Sequence, residues 1–169
     1  MRLNICAIMV AGLLAAVAST ANAAKPNVVI FVADDLGWSD PGFRGSKIDT
    51  PSLDSLARDG MVFDRFYTTP ICSPTRAALH TGRDPMRLGI AYNTIMSWHN
   101  NGVHPDERFM PEAFRDAGYQ TAMVGKWHLG HAQQTYHPNA RGYEHFYGHL
   151  HTEVGYFPPF AVQGGRDFQ

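Results

Sequence analysis

The sequence predicts an α/β domain with a mostly parallel sheet sandwiched by helices. Three observations predict it. A continuous apolar run, Asn27-Val28-Val29-Ile30-Phe31-Val32-Ala33, has the composition of a strand buried on both faces. Helix starts and stops then alternate with further short apolar runs. The runs end abruptly in polar or charged residues, as strands do where they open onto a ligand crevice.

Each element follows from local chemistry. Thr50-Pro51-Ser52 opens a helix, with Thr50 as N-cap, Pro51 at the first helical position, Leu53, Leu56 and Ala57 on one face and Gly60 as the stop. Residues 61–67 read as a second strand. Ser73-Pro74 reads as another cap and proline start, with the helix continuing through Ala77, Ala78 and Leu79 to Gly82. A third helix runs from Pro111 through Ala113 and Phe114 to Gly118, and residues 119–125 form a third strand. From Ala132 onward Gly, Pro, His and aromatic residues predict loop. Three strands fall short of the roughly five or six of a typical sheet, so the expectation is an incomplete one.

Composition bounds the function. The 169 residues carry 14 Lys and Arg against 15 Asp and Glu, a formal charge of −1, which argues against a strongly basic nucleic-acid binder and an acidic disordered tail. A 44% hydrophobic content with 10 Phe, 7 Tyr and 3 Trp is enough for one packed domain. Arg2 precedes an uncharged run over 3–24, whose apolar part (5–18) is short for a membrane span and ends in Ala21-Asn22-Ala23. We therefore expect a signal peptide over 1–23, a mature domain over 24–169, no stable span after cleavage, and export to the periplasm or the secretory pathway (the lysosome included). Cleavage removes Cys6 and leaves Cys72 alone, unusual for an exported chain, where cysteines normally pair.

Three motifs carry chemistry. Asp34-Asp35 follows the first predicted strand; two adjacent carboxylates repel and suit a hard cation such as Ca²⁺ or Mg²⁺, although acidic pairs are also common in solvated turns. Cys72 precedes a predicted helix N-terminus, which favours an anion, and Arg76 on the first turn can add a charge-assisted contact. Lys126 and His128 follow the third strand, where period-two alternation predicts one shared face. A Lys and a His aimed together can hold an anion and move a proton, whereas singly each reads as an ordinary surface residue. His145, His149 and His151, and His128 with His131, are zinc-type ligands, but no Cys accompanies the late group.

Together these motifs resemble the sulfatase family. Cys72-Ser73-Pro74-Thr75-Arg76, with Leu79, Thr81, Gly82 and Arg83, is similar to the Cys-x-Pro-x-Arg signature. Gly118 to His128, with Leu129-Gly130, resembles the second signature. Pro26-Asn27-Val28-Val29 through Asp34-Asp35-Leu36-Gly37-Trp38 resembles the family's first strand and metal-ligand pair. Arg141-Gly142-Tyr143 and Phe146-Tyr147-Gly148 resemble a stretch of the arylsulfatase branch. The resemblance runs from Lys25 to about Pro159, with Thr75 where many members carry Ser.

The resemblance implies an alkaline phosphatase/sulfatase-like fold and a sulfuric ester hydrolase. A maturation enzyme would convert Cys72 to formylglycine, one hydroxyl of whose hydrate attacks sulfur while the other later helps to expel sulfate. Ca²⁺ would be held by Asp34, Asp35 and the group at Cys72. Arg76 would support the hydrate, Lys126 would contact sulfate and His128 would move protons. The substrate would be an aryl sulfate or a sulfated glycan. The family's Asp-Asn metal pair and its further His and Lys have no equivalent before Gln169, since Asp167 lacks a partner, so the expectation is an N-terminal portion of a longer enzyme. A phosphonate or phosphodiester hydrolase of the same superfamily, and an exported fragment without activity, are the alternatives.

Overall fold

The computed structural model describes residues 25–92 and 94–152. The predicted signal peptide and Asp167 lie outside the described residues. The chain divides into two units, Met1–Trp38 and Ser39–Gln169.

In the first unit the described segment, 25–38, carries no regular strand and forms no ladder, and Phe31 is 86% exposed. The strand expected over 27–33 is thus corrected. An apolar, β-branched run favours the extended backbone, but a strand also needs a neighbour to pair its N–H and C=O groups. Asp34 and Asp35 form a turn, with Asp35 in the left-handed region at φ 60°.

The second unit carries the regular elements. Helix α1 is Pro51–Asp59, α2 is Cys72–Thr81 and α3 is Met110–Asp116. Strand β1 is Ala122–Lys126 and β2 is His145–His149. Single 3₁₀ turns span Gly42–Arg44, Gln134–Tyr136 and Pro138–Arg141. All three helices form where the prolines and glycines predict. The two predicted caps act otherwise. The Thr50 hydroxyl donates to Asp54 Oδ1 (2.8 Å) and accepts from the Gly42 N–H (2.7 Å), tying α1 to the first 3₁₀ turn. The Ser73 hydroxyl donates to the His128 carbonyl instead of capping α2, which starts one residue earlier, at Cys72. Glu112 accepts from the Phe109 N–H at 2.6 Å at the start of α3, the return half of a capping box.

The second expected strand, over 61–67, is also corrected. That segment turns at Asp64-Arg65 and is exposed. Asp64 accepts from Arg44 at 2.9 Å, a contact that favours the turn. The third begins later than expected, at Ala122, because the Tyr119 N–H still bonds to the Phe114 carbonyl beyond α3. Among the described residues the sheet is β1 paired in parallel with β2, a strand that lies in the region expected to be loop. Gly125 stands opposite Gly148 and Lys126 opposite His149. The ladder continues past β1, with the Trp127 N–H donating to His149 (2.9 Å) and the His128 N–H to Leu150 (3.1 Å).

The core sits behind this ladder. Ala77 of α2 packs with Ile90, Ile95, Val103, Phe109, Trp127, Leu129 and Leu150. His80 lies inside it, 5.3 Å from the Trp127 ring, 6.0 Å from Phe109 and 5.8 Å from Tyr143. Arg141 closes the edge: its guanidinium donates to the carbonyls of His104, Pro105 and Glu107 and sits 4.1 Å from the Phe109 ring centroid. Gly142 follows at φ 96°, packed so closely on Glu112 that a Cβ would lie 2.6 Å from its Cγ.

Candidate active site

Cys72 occupies the first position of α2, half-buried and not disulfide-bonded. Its Sγ lies 4.0 Å from Thr94 Oγ1, the outer limit of a sulfur hydrogen bond. The turn before it is held by a hydroxyl pair: Thr75 Oγ1 and Thr69 Oγ1 are 2.7 Å apart, and Thr75 also bonds the Thr69 carbonyl. Thr75 therefore does local structural work that a serine hydroxyl at that position could also do.

Two side chains of α2 reach across to the end of β1. Ser73, fully buried, donates to the His128 carbonyl at 2.9 Å. Arg76, only 7% exposed, donates through Nη1 to the Lys126 carbonyl at 2.6 Å. A guanidinium bonded to a carbonyl is a charge-assisted contact, stronger than a neutral pair. The geometry brings together Cys72, Arg76, Lys126 and His128, which are separated by up to 56 positions in sequence.

His128 departs from strand geometry. Its φ is 62°, so the period-two alternation that predicted a face shared with Lys126 breaks at this residue. The ring is fully buried while Lys126 is half-buried. His128 Nε2 lies 3.0 Å from the Ile95 carbonyl. A carbonyl only accepts, so Nε2 carries the proton, and Nδ1 is the basic nitrogen of the neutral ring.

Sequence reasoning did not single out His80 or Tyr143 as a pair. The Tyr143 hydroxyl and His80 Nδ1 are 3.2 Å apart. Burial, with Arg76 close by, lowers the His80 pKa to about 4, so the imidazole is neutral at physiological pH. Burial pushes the Tyr143 phenol up to about 12. The i, i+4 spacing of Arg76 and His80 on one helix was the available signal.

Asp34 and Asp35 belong to the first unit, both exposed. Their hard, anionic oxygens fit a Ca²⁺-type ion, and two carboxylates supply part of the six to eight oxygens it takes. Among the described residues no three His, Cys, Asp or Glu side chains form a group able to hold a metal. In the late histidine group the rings of His131 and His151 are 4.3 Å apart, and His149 Nδ1 is 3.1 Å from the His151 carbonyl.

Known proteins similar to this chain include sulfatases. Mouse arylsulfatase J is 36% identical over 140 residues, spanning 83% of this chain and 23% of that protein. Mouse N-acetylgalactosamine-6-sulfatase is 41% identical over 140 residues, spanning 77% of this chain and 26% of that protein. The chain spans about a quarter of the length of these curated relatives. The crystal structure of Ps i-CgsB superposes with a TM-score of 0.75 at 44% identity, covering 79% of this chain and 30% of that one. PsFucS1 sulfatase from Pseudoalteromonas sp. superposes at 0.67 with 32% identity, covering 92% and 31%. These likenesses show the alkaline phosphatase-like α/β fold of the sulfatases, of which the parallel β1–β2 pair and its helices are part. The Sulfatase family model matches residues 26–158, and the chain belongs to the sulfatase family.

Proposed function

We propose that the protein hydrolyses sulfate esters with an oxygen nucleophile made from Cys72. The observation that carries this reading is the pair of bonds from Ser73 and Arg76 to the His128 and Lys126 carbonyls, which tie both signatures into one neighbourhood. A maturation enzyme would convert Cys72 to formylglycine, whose hydrated aldehyde supplies the nucleophile for sulfur. Asp34 and Asp35, with the oxygen at residue 72, would hold Ca²⁺, which as a Lewis acid favours the developing charge.

The chain's own residues have distinct tasks. Arg76, one arm committed to the Lys126 carbonyl, presents its positive charge beside the start of α2, where a negatively charged oxygen is favoured. Lys126 would pair with a sulfate oxygen. His128, with Nε2 committed to Ile95, would take or return a proton at Nδ1. The substrate would be a sulfated glycan or an aryl sulfate. One similar structure, of Ps i-CgsB, holds k-i-k-neocarrahexaose, and one relative is named for N-acetylgalactosamine 6-sulfate. Export follows from the N-terminal apolar run. Among the described residues no helix is long and apolar enough to cross a membrane.

The test is to produce the full-length protein with its maturation enzyme, then measure residue 72 by peptide mass spectrometry and aryl sulfate hydrolysis with calcium. Formylglycine and turnover that vanishes in Cys72→Ala support the reading. A persistent thiol alongside a modified control protein, or turnover retained in Cys72→Ala, overturns it.

A further inference from the structure

A residue outside both signatures faces the Cys72 side chain. The loop between α2 and α3 passes the site at Ile95, which is buried and held at both backbone polar groups. Its N–H donates to Ser73 Oγ at 3.2 Å, and its carbonyl accepts from His128 Nε2 at 3.0 Å. Ser73 in turn donates to the His128 carbonyl. Ile95 is thus clamped between the residue after Cys72 and the histidine of the second signature, and its side chain is anchored in the core beside Trp127 and Leu129. The position of Thr94, one residue earlier, is set by the same clamp. Its Oγ1 lies 4.0 Å from Cys72 Sγ.

With sulfur at residue 72 this contact is weak, since a thiol is a poor donor and a poor acceptor. Oxygen at the same place changes its character. A hydroxyl both donates and accepts, and O–H···O bonds form at roughly 2.7–2.8 Å, within reach of a modest side-chain adjustment. Ile95, next to Thr94 in the chain, is already held at both backbone polar groups, so little further ordering is needed to make the bond.

We propose that Thr94 is a positioning residue: its hydroxyl bonds one oxygen carried by residue 72 after conversion and orients the other toward the sulfur of the substrate. The inference rests on the proposed conversion of Cys72. Cys72 and Arg76 share α2, so Thr94, which lies on a different element, would supply an uncharged support from a second direction. The role is orientation, so its loss should fall on turnover rather than on substrate binding.

The test compares Thr94→Val and Thr94→Ser in the full-length protein produced with the maturation enzyme. Residue 72 is quantified by mass spectrometry, folding by Tm, and kcat and KM with an aryl sulfate. Formylglycine occupancy should match wild type in both variants. Thr94→Val should lower kcat about 10- to 100-fold, the effect of one lost hydrogen bond at a reacting group, with KM changed less than about twofold. Thr94→Ser, which keeps the hydroxyl, should restore kcat to within about threefold. Full occupancy with undiminished turnover in Thr94→Val, or equal losses in both variants, overturns the role of Thr94 and leaves the reading of Cys72 standing. A wild-type residue 72 that stays a thiol overturns both.

Discussion

Arg76 on α2 donates a 2.6 Å hydrogen bond to the carbonyl of Lys126, fifty positions along the chain at the end of β1. The guanidinium is almost wholly buried, so this bond both satisfies a charge and fixes the distance between the two signatures. Lysine in its place would keep the charge but lose the planar fork. Arg76→Lys should lower stability by roughly 1–3 kcal/mol, the usual cost of losing a charge-assisted bond at a buried site. Under the proposed function, in which the same side chain would also support residue 72, turnover should fall more steeply than stability, by about 100-fold or more. Urea midpoints and kcat separate the two effects; an active variant with only the stability loss would assign Arg76 to structure alone.

His80 predicts an acid-sensitive core. Its environment is Arg76 on its own helix, the Tyr143 hydroxyl, and the rings of Phe109 and Trp127, none of which compensates a positive charge with a negative one. The folded-state pKa is lowered to about 4. Between about pH 6.5 and 4 the unfolded chain therefore binds a proton that the folded chain does not. Stability from this group is complete above about 6.5 and falls as pH drops toward 4, by roughly 3 kcal/mol in all. His80→Leu removes the titration, so its stability should vary less with pH across that window, although it leaves the Tyr143 hydroxyl without this partner. Denaturant midpoints from pH 4 to 7 decide it: an unchanged slope in the variant would place the acid sensitivity elsewhere.

The helices were legible because proline and glycine punctuate them: Pro51, Pro74 and Pro111 in their first turns, Gly82 at φ 67° after α2. The strands were less so. Residues 27–33 have a strand's composition, yet pairing depends on a partner that local sequence does not reveal. Strand β2 was missed for the converse reason. His145-Phe146-Tyr147-Gly148-His149 has no β-branched residue, and its pairing with β1 is a relation between distant segments. At the site, Cys72, Arg76, Lys126 and His128 stood out by motif, whereas the links between them did not. Ser73 looked like a cap and is a bridge, and Ile95, which no motif marks, is a clamp.

Gly148 should tolerate no side chain. It stands opposite Gly125, and a Cβ at 148 would overlap the Gly125 carbonyl oxygen and lie 2.7 Å and 2.8 Å from its C and N atoms. All three are backbone, so the ladder itself would have to part. Gly148→Ala should lower stability by about 3 kcal/mol or more, at the upper end of overpacking effects. Tyr147→Ala, at an exposed neighbouring position of the same strand, should cost less. Equal Tm shifts for the two would contradict the close approach of the strands.

Asp34 and Asp35 should be separable as metal ligands, provided the backbone is respected. Asp35 sits at φ 60°, a region that Asn adopts several-fold more readily than most residues. Asp35→Asn therefore removes the charge without adding strain, whereas Asp35→Ala changes both. Asn also keeps one oxygen donor, so the amide is a weaker ligand of similar shape. In the full-length protein, calorimetric titration with Ca²⁺ should show affinity reduced at least about 10-fold for Asp34→Asn and for Asp35→Asn, since each loses an anionic oxygen donor. The double variant should lose measurable binding. Asp35→Ala should show the same affinity loss with a lower Tm, the difference reporting the left-handed turn. Calcium affinity unchanged in both single Asn variants would remove this acidic pair from the metal site and leave the turn a solvated one.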